Sequence, residues 1–290
     1  MHQTYNLIIE DRIEVTNSFP KIYLHPFKAS YKNDKVVKRI SEEDLPNKHI
    51  FLKRIKSNLL ITVSKFLNEF HQTNYSEKFW DIEIGFWLNV YVFNMFEAWE
   101  MMSSLLDEQG NFLVKIRKYS DEDLIAQTMD ELNNLTYNDE FKENIFFYII
   151  KYRFSNNKRF SIEECRCNST SLEVRKKSFR SNNKINFNKI ILKIYYLLFS
   201  KIIKRQKYSI LRSYLGAKDD LKLNFKLKQL PIFISNIFWI CKPDHTLRKK
   251  IKLNEKKDNE FEKYLYKEIF SFMPVSFLEG FKKIEKKVNE

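Results

Sequence analysis

A helix-rich α/β fold is the class this sequence predicts, on three observations. Short apolar runs bounded by turn residues open the chain, two long stretches of three- and four-residue apolar spacing follow, and helix-like and strand-like segments alternate again further on. Strands separated by helices point to a parallel or mixed sheet in an α/β layer. With 43% hydrophobic and 16% aromatic residues in 290 positions, the chain has the apolar side chains that a sizeable core needs and that disordered chains lack.

The strands expected first are Leu7 to Glu10, Arg12 to Thr16, and Lys21 to His25, the last closed by Pro26. After Pro46 the apolar residues Phe51, Ile55, Leu59, Val63, Phe66, Leu67 and Phe70 share one helix face, so a long amphipathic helix runs to His71. A polar connector, Gln72 to Lys78, leads to a second helix from Trp80 to about Glu108. Being apolar nearly all round, it belongs at the centre of a helical layer, with Gly110 as its stop. Ser120 and Asp123 open a helix through Leu132, and Asn138 caps another over Asp139 to Phe154. Residues 155–188 are polar and basic, and read as a flexible loop or insertion. Helical spacing returns over Ile190 to Lys204, a strand over Tyr208 to Leu215, and helices over Asp219 to Leu230 and Asp258 to Phe270, with Pro274 opening the last. The whole reads as one α/β domain over 1–290 with a helical insertion at about 46–154.

Three cysteines, Cys165, Cys167 and Cys241, lack the spacing of a zinc site or a disulfide framework. The amino terminus has no basic region followed by an apolar one, so a cytoplasmic location is expected. The longest apolar run, Trp80 to Leu106, is interrupted by Asp81, Glu83, Glu97 and Glu100, and no membrane span is expected. The net charge of +14 is uneven: Lys151 to Lys250 holds 25 Lys and Arg against 6 Asp and Glu, or +19, leaving −5 for the rest. Such a field favours an anionic partner without choosing among anions. No compact nucleic-acid module accompanies it, so no specific nucleic acid is expected. Glycine-loop phosphate motifs are missing too, and the chain has 4 glycines where the usual frequency would give about 20. No cofactor site is therefore expected within the chain.

Several residues are candidates for chemistry. His71 ends the first long helix and either caps it or serves as a general base. His25 closes a strand, where α/β proteins place ligand-binding groups. Asn68, Tyr75 and Trp80 lie around the connector as candidate hydroxyl- and ring-binding groups, although Trp80, Trp87 and Trp99 sit in a helix whose tryptophans are better explained by core packing. Lys193, Lys201, Lys204, Arg205 and Lys207 flank apolar residues in a pattern suited either to a solvated face or to an interfacial helix on an anionic membrane.

The segment from Asn68 to Glu100 carries an Asn-x-x-His unit (Asn68, His71), the pair Phe79-Trp80, the unit Gly85-Phe86-Trp87-Leu88 and the pair Trp99-Glu100. Ser213-Tyr214-Leu215, Leu230-Pro231 and Pro274 to Gly280 follow in order. This ordered set resembles a family of bacterial transferases encoded with O-antigen and other surface-polysaccharide genes, although Phe86 stands where that family usually has Pro. The resemblance implies the Rossmann-like amino-terminal, acceptor-side domain of a two-domain, GT-B-like glycosyltransferase. In full-length relatives a unit like Pro274 to Gly280 precedes a second half that binds the nucleotide-sugar donor, and that half is expected to be missing here or separately encoded. The implied acceptor is lipid-linked or polysaccharide, with the protein peripheral at the inner face of the membrane. The alternative is a non-catalytic module that docks through its basic region.

Overall fold

A computed structural model describes residues 4–8, 20–23, 35–36, 44–106, 109–118, 125–136, 139–166, 194–195, 197–201, 217–230, 241–253 and 257–289. The chain divides into two compact units, residues 1–170 with 240–290, and residues 171–239. The described part of the second is helical at 194–195, 197–201 and α5 (Ala217–Lys226, numbered in chain order below).

The first unit contains a sheet of β1 (Thr4–Ile8), β2 (Lys21–Tyr23), β3 (Lys35–Val36), β4 (Asn111–Lys118) and β5 (Phe160–Arg166). All neighbours are parallel, in the order β3-β2-β1-β4-β5. The α/β class is therefore observed. Leu7 pairs with Ile22 on one side and Val114 on the other, and Phe112 with Phe160. These side chains share one sheet face and enter the main core.

Between β3 and β4 run α1 (Leu45–His71) and α2 (Glu77–Ser104). Pro46 starts α1, where its missing N–H costs nothing. The expected stripe is buried at Ile55, Leu59, Val63 and Leu67. Trp80, Trp87 and Trp99 of α2 are all buried, so they pack the core rather than offering flat faces to a sugar. After β4 come α3 (Met129–Thr136) and α4 (Asp139–Phe154), then β5. Beyond α5 lie α6 (His245–Lys250), α7 (Glu260–Phe272), a 3₁₀ turn at Val275–Phe277 and α8 (Phe281–Asn289). Asn259 caps α7 by accepting from the N–H groups of Phe261 and Glu262. Tyr91 of α2 donates to Leu265 O, and the Trp99 and Tyr264 rings lie 5.5 Å apart, so α7 seals α2.

Five sequence expectations are corrected. The helix expected from Ser120 through Leu132 is non-helical at 125–128 and runs instead over Met129–Thr136. Asn111–Lys118 is a strand inside the segment read as a helical insertion. Phe160–Arg166, read as the start of a polar loop, is an edge strand; pairing with β4 holds it in place although Ser161, Glu163, Glu164 and Cys165 face solvent. Gly110 does not stop α2, which ends at Ser104; its φ of 133° shapes the entry to β4, and Arg159 donates to its carbonyl. Pro274 opens a 3₁₀ turn, and α8 starts only at Phe281, after a break at 278–280. The strands expected at Arg12 to Thr16 and Tyr208 to Leu215 lie outside the described residues.

Gly85 marks the close approach of α1 to α2. A Cβ there would press on the Asp81 carboxylate, which accepts from Lys56 Nζ at 2.8 Å. Gly85→Ala therefore exchanges about 1 kcal/mol of helix propensity for an exposed ion pair worth about 0–1 kcal/mol. Urea denaturation should find the variant within about 1 kcal/mol of the parent.

Candidate functional site

Asn68 organises the turn between α1 and α2. Its Oδ1 accepts from Thr73 Oγ1 at 2.9 Å, Tyr75 N at 3.0 Å and Trp80 Nε1 at 3.0 Å, while Nδ2 donates to Tyr75 O at 2.8 Å. Gln72, at φ 53°, turns the chain in the left-handed region, and Ser76 caps α2 by accepting from Phe79 N. The sequence candidates Asn68, His71, Tyr75 and Trp80 thus do come together, but the Asn68 amide is occupied by protein groups.

His71 is 3% exposed. Its ring lies 4.6 Å from Phe281 and 6.2 Å from Trp80, stacked on both, with Phe70 edge-on at 5.0 Å. Nε2 stands 3.0 Å from Phe277 O; a carbonyl only accepts, so Nε2 carries the proton and donates. Burial lowers the His71 pKa below its ordinary 6.5, and the Phe277 carbonyl opposes that shift. Lys282 lowers it further, whereas Glu285 raises it. Tyr75 stacks on Phe79 at 4.0 Å and donates its hydroxyl to Glu285, which also accepts from Lys282. That bond raises the Tyr75 pKa and lowers that of Glu285.

A depressed histidine pKa means that the unfolded chain binds the proton more readily. The contribution of His71 to stability is then complete above pH 6.5 and is lost as pH falls from there through the lower folded value. In His71→Gln, which keeps an N–H for Phe277 O, the slope of stability against pH below 6.5 should flatten in denaturant titrations.

The Pro274 to Gly280 unit meets this knot from the far end of the sequence. Val275 N donates to Ala126 O and Ser276 N to Gln127 O, at 2.8 and 3.0 Å. Glu279 forms a two-pronged pair with Arg248, each prong 2.6 Å, and also accepts from Asp244 N. The remaining Arg248 nitrogen, Nη1, donates to Phe270 O and Met273 O at 2.6 and 2.7 Å. Both side chains are buried, at 2% and 8% exposure. Sequence reasoning missed Arg248, which looks like one cation in the run Arg248-Lys249-Lys250, and Phe281 and Glu285, which carry no local motif.

These groups form a built, saturated scaffold. From β1 the chain proceeds to β2 on one side, and from β4 to β5 on the other, so the neighbours β1 and β4 flank a topological switch point. Crevices outside the carboxyl ends of such strands are where open α/β sheets bind ligands. His25 follows β2, beside β1, and lies outside the described residues, as do Lys193, Lys204, Arg205 and Lys207. Lys201 is exposed on its helical segment.

Among the described residues no cluster of three His, Cys, Asp or Glu is placed to hold a metal, and no helix is long and apolar enough to cross a membrane. No curated protein and no solved structure matches the chain. A family model described as LIC12162 family transferase matches residues 17–290, nearly the whole sequence. The chain belongs to the LIC12162 family of transferases.

Proposed function

We infer that the protein takes part in glycosyl transfer from a nucleotide-sugar donor to a lipid-linked or polysaccharide acceptor, in the assembly of a surface polysaccharide such as O-antigen or capsule. The observation that supports this best is the parallel sheet in the order β3-β2-β1-β4-β5, the topology of a Rossmann-like half, in a chain of a transferase family. The acceptor side of a GT-B-like enzyme needs a base for the attacking hydroxyl, and the donor side needs cations for the departing diphosphate. His25, which follows β2 in the sequence, is proposed as the base. His71, Asn68, Tyr75 and Trp80 serve as scaffold, tying the α1–α2 turn to the 3₁₀ turn and α8.

Transfer of a labelled sugar from a panel of nucleotide sugars to lipid-linked acceptors tests the reading. Sugar incorporation that depends on this chain is expected. Incorporation that proceeds equally without it would remove the protein from the reaction.

A further inference from the structure

An amphipathic helix packed on a core hides its apolar face and leaves its lysines in water. In the second unit the helical residues at 194–195 and 197–201 do the reverse. Ile194, Leu197 and Leu198 are 54%, 81% and 65% exposed. Steps of three and four residues put all three on one helix face, and the exposed Lys201 continues that face a turn further on. Tyr195 and Phe199, on the adjoining side, are half-buried, with their rings 5.2 Å apart. The same unit repeats the pattern at the end of α5, where Phe225 and Leu227 are exposed beside the exposed Lys226 and Lys228.

Charge identifies what covers these side chains. Residues 171–239 hold 16 Lys and Arg against 3 Asp and Glu, or +13 of the chain's net +14. No acidic residue stands between Glu173 and Asp219, so the exposed apolar face lies within a stretch whose charges are all positive. Its partner must therefore supply both an apolar bed and an anionic surround. An anionic bilayer surface supplies both, hydrocarbon for the aliphatic side chains and phosphate headgroups for the cations. A nucleic acid supplies phosphates, and its bases stack on aromatic rings; it offers no apolar bed to three aliphatic side chains. We propose that the second unit docks on an anionic lipid surface, with Ile194, Leu197 and Leu198 entering between the headgroups and Lys201 resting on the lipid phosphates.

Flotation of the full chain with vesicles of equal parts phosphatidylcholine and phosphatidylglycerol should carry the protein upward, and vesicles of phosphatidylcholine alone should not. Added salt should release part of the bound protein. Because both leucines are exposed, Leu197→Ser combined with Leu198→Ser should keep the parent circular dichroism and melting temperature while weakening vesicle binding about tenfold or more. Lys201→Gln should weaken it about fivefold, the share of one cation close to an anionic surface. The vesicles carry neither sugar donor nor acceptor, so the outcome is independent of the proposed reaction. Equal binding to the two kinds of vesicle, undiminished binding of the leucine variant, or preference for a DNA duplex over anionic vesicles in competition would each overturn the proposal.

Discussion

Arg248→Ala is expected to lower the stability of the first unit by about 3–5 kcal/mol, the range for breaking a buried ion pair. The reason is geometric. Truncation strands the Glu279 carboxylate at 8% exposure and takes donors from the carbonyls of Phe270 and Met273. These carbonyls end α7, and Glu279 sits between the 3₁₀ turn and α8, so three elements lose their common link to α6. Arg248→Lys should recover little, because an ammonium cannot make the two-pronged pair and reach both carbonyls. The double variant Arg248→Met with Glu279→Leu should regain much of the loss, since it removes the uncompensated charge as well as the pair. Urea midpoints at constant slope measure all three. A loss under about 1 kcal/mol in Arg248→Ala would place the pair among surface contacts.

Asn68→Ala is expected to cost about 2–4 kcal/mol, chiefly because the Trp80 indole N–H loses its acceptor in a fully buried position, where an unmade hydrogen bond costs about 1–3 kcal/mol. Thr73 and Tyr75 lose the same acceptor but lie partly open, so water replaces some of what they lose. Asn68→Asp keeps Oδ1 for all three donors and surrenders only the bond from Nδ2 to Tyr75 O, with a further few tenths of a kcal/mol for an anion in the last turn of α1. It should therefore fall nearer the parent than Ala does. Equal losses in the two variants would show that the acceptor oxygen is not what holds the turn.

The long helices were legible because burial writes a period into them. Ile55, Leu59, Val63 and Leu67 face the core as their spacing requires. Asn111–Lys118 and Phe160–Arg166 escaped because a short strand is recognised by its partner as much as by its own residues. Lys115 and Glu163 complete alternations that look polar in isolation and make sense only side by side, where their side chains pair at 3.5 Å. The candidate site was legible in its parts and not in its assembly. Asn68, His71 and Trp80 stood out as a cluster, yet their role follows from Phe277, Phe281 and Glu285, about 200 residues away, and no local pattern ties one set to the other. Arg248 shows the converse: a cation in a basic run reads as solvated until the fold brings Glu279 to it.

In the proposed reaction the groups knotted around His71 serve as scaffold and His25 serves as the base. Steady-state sugar transfer by His25→Ala and His71→Gln, each assayed below its own melting temperature, tests that separation most directly. His25→Ala should retain the parent stability and lose about 10²–10⁴-fold in turnover, the usual contribution of a general base, while His71→Gln should melt earlier and turn over at close to the parent rate. Full turnover in His25→Ala together with collapse in a folded His71→Gln would contradict it and return the base to the helix end.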